Sequence, residues 1–201
     1  MGGVTGDPAP GDHVPGDRAV GGRGGVGESG AHLVLVGLPG VGKSSVGAGL
    51  ARRLGVEFMD LDVEIERRSG RTVAELFREE GEAAFRRLER SLTEELRSAP
   101  AMVIAPGGGW MSQPGLPALL RPPARIIYLR ASPEVVARRM GAERSLRPLL
   151  AGGEVVPRLA ALLADREADY RAADLVVDTE LIDVQQVIDA ISELARLPGG
   201  G

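Results

Sequence analysis

Gly37-Leu38-Pro39-Gly40-Val41-Gly42-Lys43-Ser44 carries the spacing G-x-x-x-x-G-K-S. Glycines so placed let backbone N–H groups turn inward around phosphate oxygens. A helix beginning at Lys43 would present its positive N-terminus to the same anion. Lys43 is then the charge on the β- and γ-phosphates, and the Ser44 hydroxyl, with Ser45 beside it, is a ligand for Mg2+. The chemistry implied is binding of ATP with magnesium and transfer of the terminal phosphoryl group to a small molecule. The competing reading is a Gly-rich turn that matches by chance. Against it, all but one of the 24 basic residues are arginine, and the exception is Lys43. Arginine usage of this kind reflects genomic base composition. A position that stays lysine asks for a compact point charge rather than a planar fork.

Further candidates are ambiguous one by one. Asp60 and Asp62 are either solvated loop acids, a helix cap, or a pair of which one reaches magnesium and the other takes a hydrogen bond from the hydroxyl being phosphorylated. Arg86, Arg87 and Arg90 read as a solvated helix face. Gly107-Gly108-Gly109 is either a flexible turn or a stretch of open backbone facing a substrate carboxylate. Arg139, Arg144 and Arg147 form either a solvated charge run or the arginines of a phosphoryl-transfer lid.

These groups need elements to hold them. His32-Leu33-Val34-Leu35-Val36 is short, apolar and β-branched, and predicts a buried strand ending at Gly37. A helix is expected from about Lys43 to Leu54. Strands are expected over Val56-Glu57-Phe58-Met59, ending in Asp60, and at Met102–Ala105, Arg125–Leu129 and Leu175–Val177. Between them, 62–99 should form two or three helices, one capped by Thr72. Ser132-Pro133-Glu134 should cap another, with proline at its first position. Helices to about Arg171 and over 183–196 follow. Strands alternating with helices imply an α/β chain with a parallel sheet covered on both faces, and ligands in such sheets bind at the carboxyl ends of the strands. Residues 1–30 hold 11 of the 29 glycines and no apolar period, so a disordered tail is expected there. The domain should then run over 31–197, with an irregular lid at about 141–153 and a Gly tail at 198–201.

Composition narrows the partners. The chain has 201 residues, 43% hydrophobic, enough for one domain with a core. A net charge of −4 argues against nucleic acid or an acidic membrane as partner. With no cysteine and only His13 and His32 as histidines, disulfides, thiolate metal sites and histidine chemistry fall away, and a reducing cytoplasm is expected. No apolar run has the length of a membrane span.

Taken together, the P-loop, Asp60-Leu61-Asp62, Phe85-Arg86-Arg87-Leu88-Glu89, the Gly107–Gly109 triplet, Arg147-Pro148-Leu149-Leu150 and Tyr170-Arg171 resemble shikimate kinase, over about residues 31–196. The resemblance implies a three-layer α/β/α fold with a five-stranded parallel sheet of order 2-3-1-4-5. It implies transfer of the ATP γ-phosphoryl to the 3-hydroxyl of shikimate, by a cytoplasmic monomer. On the matching positions, Asp62 holds the accepting hydroxyl, while Arg86 and Arg171 pair with the shikimate carboxylate. Gly107, Gly108 and Gly109 line the same pocket. Asp60 and Ser44 organise Mg2+, Arg147 reaches the phosphates from the lid, and Arg139 stacks near adenine. Two positions depart from the family's habit: Ala105 stands where a small hydroxyl residue is common, and Trp110 where a small residue follows the triplet. Trp110 is expected either to pack into the helical layer or to narrow the acceptor pocket. The other functions to weigh are a related kinase for another hydroxy acid, such as gluconate, and a P-loop regulator without an acceptor.

Overall fold

The computed structural model describes residues 1–2, 31–141 and 155–196. The expected tail beyond its first two residues, the lid beyond Gly141 (with Arg144 and Arg147) and the Gly tail lie outside the described residues.

Strands β1 (Leu33–Val36), β2 (Glu57–Asp60), β3 (Met102–Ala105), β4 (Arg125–Arg130) and β5 (Leu175–Asp178) form one sheet of order β2-β3-β1-β4-β5. Every neighbouring pair is parallel. All four residues of β1 and of β3 are buried, as expected of strands covered on both faces. Alternation along the pleat sorts their side chains. Leu33, Leu35, Val103, Ile127 and Leu129 face one layer, with α1 (Lys43–Leu54), α5 (Pro133–Met140) and α7 (Val184–Arg196). Val34, Val36, Ile104, Ile126 and Tyr128 face the other, with α2 (Leu61–Ser69), α3 (Val73–Glu80) and α4 (Glu82–Leu96). Helix α6 (Val155–Arg171) joins both cores: Leu159 packs in the first and Tyr170 in the second. Tyr170 stacks on Tyr128 with ring centres 5.1 Å apart. Each fully buried side chain of this kind contributes about 1.5–3 kcal/mol.

Element boundaries differ from expectation where hydrogen bonds decide them. His32 stays outside β1 and spends its ring instead: Nε2 lies 2.8 Å from the Leu96 carbonyl, and Nδ1 accepts from Met102 N–H at 3.3 Å. Strand β2 starts one residue later than expected, at Glu57, and ends at Asp60 as expected, where it pairs with Ala105. The 62–99 stretch resolves into three helices, the second opened by a capping box between Thr72 and Glu75. Ser132 does not cap α5 through its side chain, although Pro133 opens the helix as expected. Its backbone N–H is taken by Glu180 Oε1 at 2.7 Å.

Candidate active site

The turn from β1 into α1 has Gly37, Gly40 and Gly42 at φ 139°, 85° and 112°. Side chains rarely adopt these values, so the motif's glycines are required by the backbone they make. Gly42 precedes α1 directly, which leaves the first amides of that helix pointing into the loop. Lys43 Nζ donates to the carbonyls of Gly37 at 3.1 Å and Leu38 at 3.2 Å. The ammonium therefore lies across the loop's own mouth.

The end of β2 answers the choice left open between the two aspartates. Asp60 caps α2: its Oδ1 accepts from Asp62 N–H at 3.2 Å and Val63 N–H at 3.4 Å. Its other oxygen, Oδ2, accepts the Ser44 hydroxyl proton at 2.7 Å. The cap alternative is realised at Asp60, and its second oxygen stays turned to the Ser44 hydroxyl. Two hard oxygen donors side by side, at the mouth of an anion-binding loop, fit Mg2+, which takes few protein ligands and keeps waters and phosphate oxygens.

Asp62 lies one step into α2 and points inward. Burial first, then the charges of Asp60 and Glu89, push its carboxyl from the usual 3.8 up to about 6, while Lys43 pulls it down. Its Oδ1 and the Oε1 of Glu89 are buried with no hydrogen-bond partner among the described residues. Both crowd the same glycine: a Cβ at Gly107 would stand 2.9 Å from Asp62 Oδ1 and 3.2 Å from Glu89 Oε1. Burial also raises the Glu89 carboxyl, against the pull of Arg86 and Gln113.

The rest of the triplet meets two guanidinium groups. A Cβ at Gly109 would touch Arg86 at 2.6 Å, and one at Gly108 would lie 3.1 Å from Arg166 Nη1. Arg86 is therefore not a solvated residue; its side chain is 23% exposed and donates to Glu89 Oε2 at 2.8 Å. Tyr170 Oη donates to the Gly108 carbonyl at 2.5 Å, which pins the loop to α6.

The structure does not bring Arg171 to this place. Its side chain is 61% exposed and pairs with Glu167, 2.7 Å away. Arg166 stands there instead, 14% exposed. The reason is helical phase. Arg166 and buried Tyr170 are four apart and share a face, whereas Arg171 is rotated about 100° from Tyr170. That spacing is present in the sequence and is the signal that finds Arg166.

A cavity of about 810 Å3 joins these parts, lined by the P-loop, Ser44, Ser45, Asp60, Asp62, Gly107 and Gly108 at one end. Its other end is apolar, with Ile182, Val184 and Val187. There Arg139 is fixed by the Val41 carbonyl at 3.4 Å, the Thr179 hydroxyl at 2.9 Å and the Thr179 carbonyl. Trp110 takes no part in the cavity. It is fully buried beneath the triplet, and its indole N–H donates to Thr93 Oγ1 at 3.1 Å. The packing alternative holds, and the pocket-narrowing one is corrected. Ala105 is buried opposite Asp60.

Known proteins give the same outline. The family model for shikimate kinase matches residues 39–196. A shikimate kinase of Geobacter sulfurreducens is 40% identical over 171 residues, covering 85% of this chain and 94% of that protein. One of Paracidovorax citrulli is 46% identical over 149 residues, covering 73% and 81%. Among solved structures, the shikimate kinase of Acinetobacter baumannii in complex with shikimate superposes with a TM-score of 0.77 at 35% identity, covering 83% of this chain and 93% of that one.

Proposed function

Because the chain belongs to the shikimate kinase family, and is thus an ATP-dependent kinase that phosphorylates shikimate, we propose a division of labour among the residues of its cavity. ATP lies along the cavity with its base at the apolar end beside Arg139 and its phosphates in the loop Gly37–Ser44, next to Ser45. Lys43 leaves its resting carbonyls for the β- and γ-phosphates. Ser44 and Asp60 hold Mg2+, which supplies positive charge to the phosphate oxygens.

Shikimate lies across Gly107–Gly109. Its carboxylate is held between Arg86 and Arg166, and its 3-hydroxyl meets Asp62. The observation that carries this reading is the placement of two arginines against one end of a glycine loop and a buried carboxylate against the other. Such a frame suits an acceptor with an anion at one end and a hydroxyl across the ring. Asp62, raised to about 6, is ionised at neutral pH and close enough to titration to take the hydroxyl proton. Little else is asked of the protein, since phosphoryl transfer is mostly positioning and charge neutralisation. We also propose a monomer working in the cytoplasm; gel filtration and fractionation test this.

ADP release measured with and without shikimate tests the activity. Arg166→Ala is expected to raise the shikimate KM by about 10–100-fold, for a charge-assisted hydrogen bond worth about 1.5–3 kcal/mol. Arg171→Ala should leave it within about twofold, as for an exposed ion pair. The reverse order would refute the assignment.

A further inference from the structure

We infer that Gln113 is a positioning residue for acceptor binding: it fixes Glu89, and Glu89 fixes Arg86. The inference rests on the reading of Arg86 given above.

Helix α4 presents Arg86, Glu89, Arg90 and Thr93 at spacings of three, four and seven, which puts them on one face. That face meets the segment just after the glycine triplet. Trp110 donates to Thr93 Oγ1 at 3.1 Å, and Arg90 donates to the Pro114 carbonyl at 3.0 Å. Between those two ties, Gln113 Nε2 donates to Glu89 Oε2 at 2.5 Å. The backbone around Gln113 is itself held, with Gln113 N–H on the Trp110 carbonyl and Leu116 N–H on the Gln113 carbonyl. The amide thus has a fixed base from which to reach.

Glu89 Oε2 is the shared point. It takes Gln113 from the loop and Arg86 Nη1 from its own helix at 2.8 Å. The Glu89 side chain is fully buried, so this tie is unscreened. The other tie on Arg86 runs to Glu82, whose side chain is 64% exposed, and an exposed pair holds little. The guanidinium is therefore aimed by Glu89, and the carboxylate plane of Glu89 is set by Gln113. The residue type matters. An amide donates without adding charge, so it orients Glu89 and does not compete with Arg86 as counter-ion. A lysine or arginine there would neutralise Glu89 and free Arg86; an apolar residue would leave the carboxylate to rotate and carry Arg86 off the line above Gly109.

The test is a kinetic cycle with Gln113→Met, Arg86→Ala and the double variant. Gln113→Met keeps length and removes the donor. It is expected to raise the shikimate KM about tenfold, within the range of coupling in hydrogen-bonded networks, with the ATP KM and the Trp110 emission spectrum unchanged. The double variant should be no worse than Arg86→Ala, because Gln113 acts only through Arg86. Gln113→Glu supplies a rescue. Near neutral pH its carboxylate opposes Glu89 and should be worse than methionine. On acidification the introduced carboxyl gains a proton, donates again, and should bring the shikimate KM back toward wild type, while the methionine variant shows no such recovery. A Gln113→Met enzyme with wild-type shikimate KM, penalties that multiply in the double variant, or a Gln113→Glu profile parallel to that of Gln113→Met overturns the inference. If Arg86→Ala itself leaves the shikimate KM unchanged, the reading of Arg86 falls first and the inference with it.

Discussion

Replacing Asp62 by asparagine should make this protein more stable and nearly inactive. The carboxyl of Asp62 rises from 3.8 to about 6 in the fold, chiefly through burial and then through the charges of Asp60 and Glu89. Each tenfold change in proton affinity is worth about 1.4 kcal/mol, so the buried charge costs the folded chain about 3 kcal/mol at neutral pH. The sign follows from where the proton sits. Well below 3.8 both folded and unfolded chains hold it, and there is no cost. Between 3.8 and about 6 the unfolded chain has released the proton and the folded chain has not, so stability falls as pH rises through that window. Above it the whole cost is present. Asparagine keeps the shape and never ionises. Urea unfolding of the magnesium-free protein, followed by Trp110 fluorescence, should give Asp62→Asn a gain approaching about 3 kcal/mol near neutral pH and almost none at about pH 4. Turnover should fall by about 10²-fold or more, the usual worth of a positioned acid–base group. A variant less stable than wild type at neutral pH, or a difference that does not change with pH, would refute the electrostatic account of this residue.

The remaining expectations are simpler. Lys43→Ala and Lys43→Arg should both keep the wild-type circular dichroism spectrum and lose turnover, since the planar fork does not fit among the Gly37 and Leu38 carbonyls; an active arginine variant would show that the lone lysine is not chemically selected. Trp110→Phe should lower unfolding free energy by about 1 kcal/mol through loss of the bond to Thr93, read in urea by circular dichroism, and no loss would mean that the bond is dispensable.

What the sequence discloses follows from how local each feature is. Strand β1 and the P-loop are written in consecutive residues, so their type and order can be read directly. Asp60 is legible as either a cap or a metal ligand, because a single carboxylate has two oxygens, one for the α2 amides and one turned to Ser44, and sequence shows only one residue. Adjacency to Tyr170 points to Arg171, whereas helical phase points to Arg166, and phase is what decides which side chain reaches the loop. Trp110 is undecidable from its neighbours along the chain: its direction is fixed by Thr93, 17 positions earlier on α4. Gln113 offers no signal, because its partner Glu89 is 24 positions away and buried only once the glycine loop lies on α4.

The strand that is made first sits third in the sheet. Leu33 finds its neighbours in Val103 and Arg125, and β2, which leaves the ribosome next, never touches it. Helix α1 follows at once and can cover the face of Leu33 and Leu35 early. The face of Val34 and Val36 must wait for α2, α3 and α4, and the two edges of β1 for β3 and β4. Through that interval the chain carries an apolar strand with both edges open, the state most exposed to pairing with another nascent copy. Closing such distant contacts also slows folding. Chains that stop before β4 therefore leave one edge of β1, the strand that carries the phosphate loop, open to pairing with another copy.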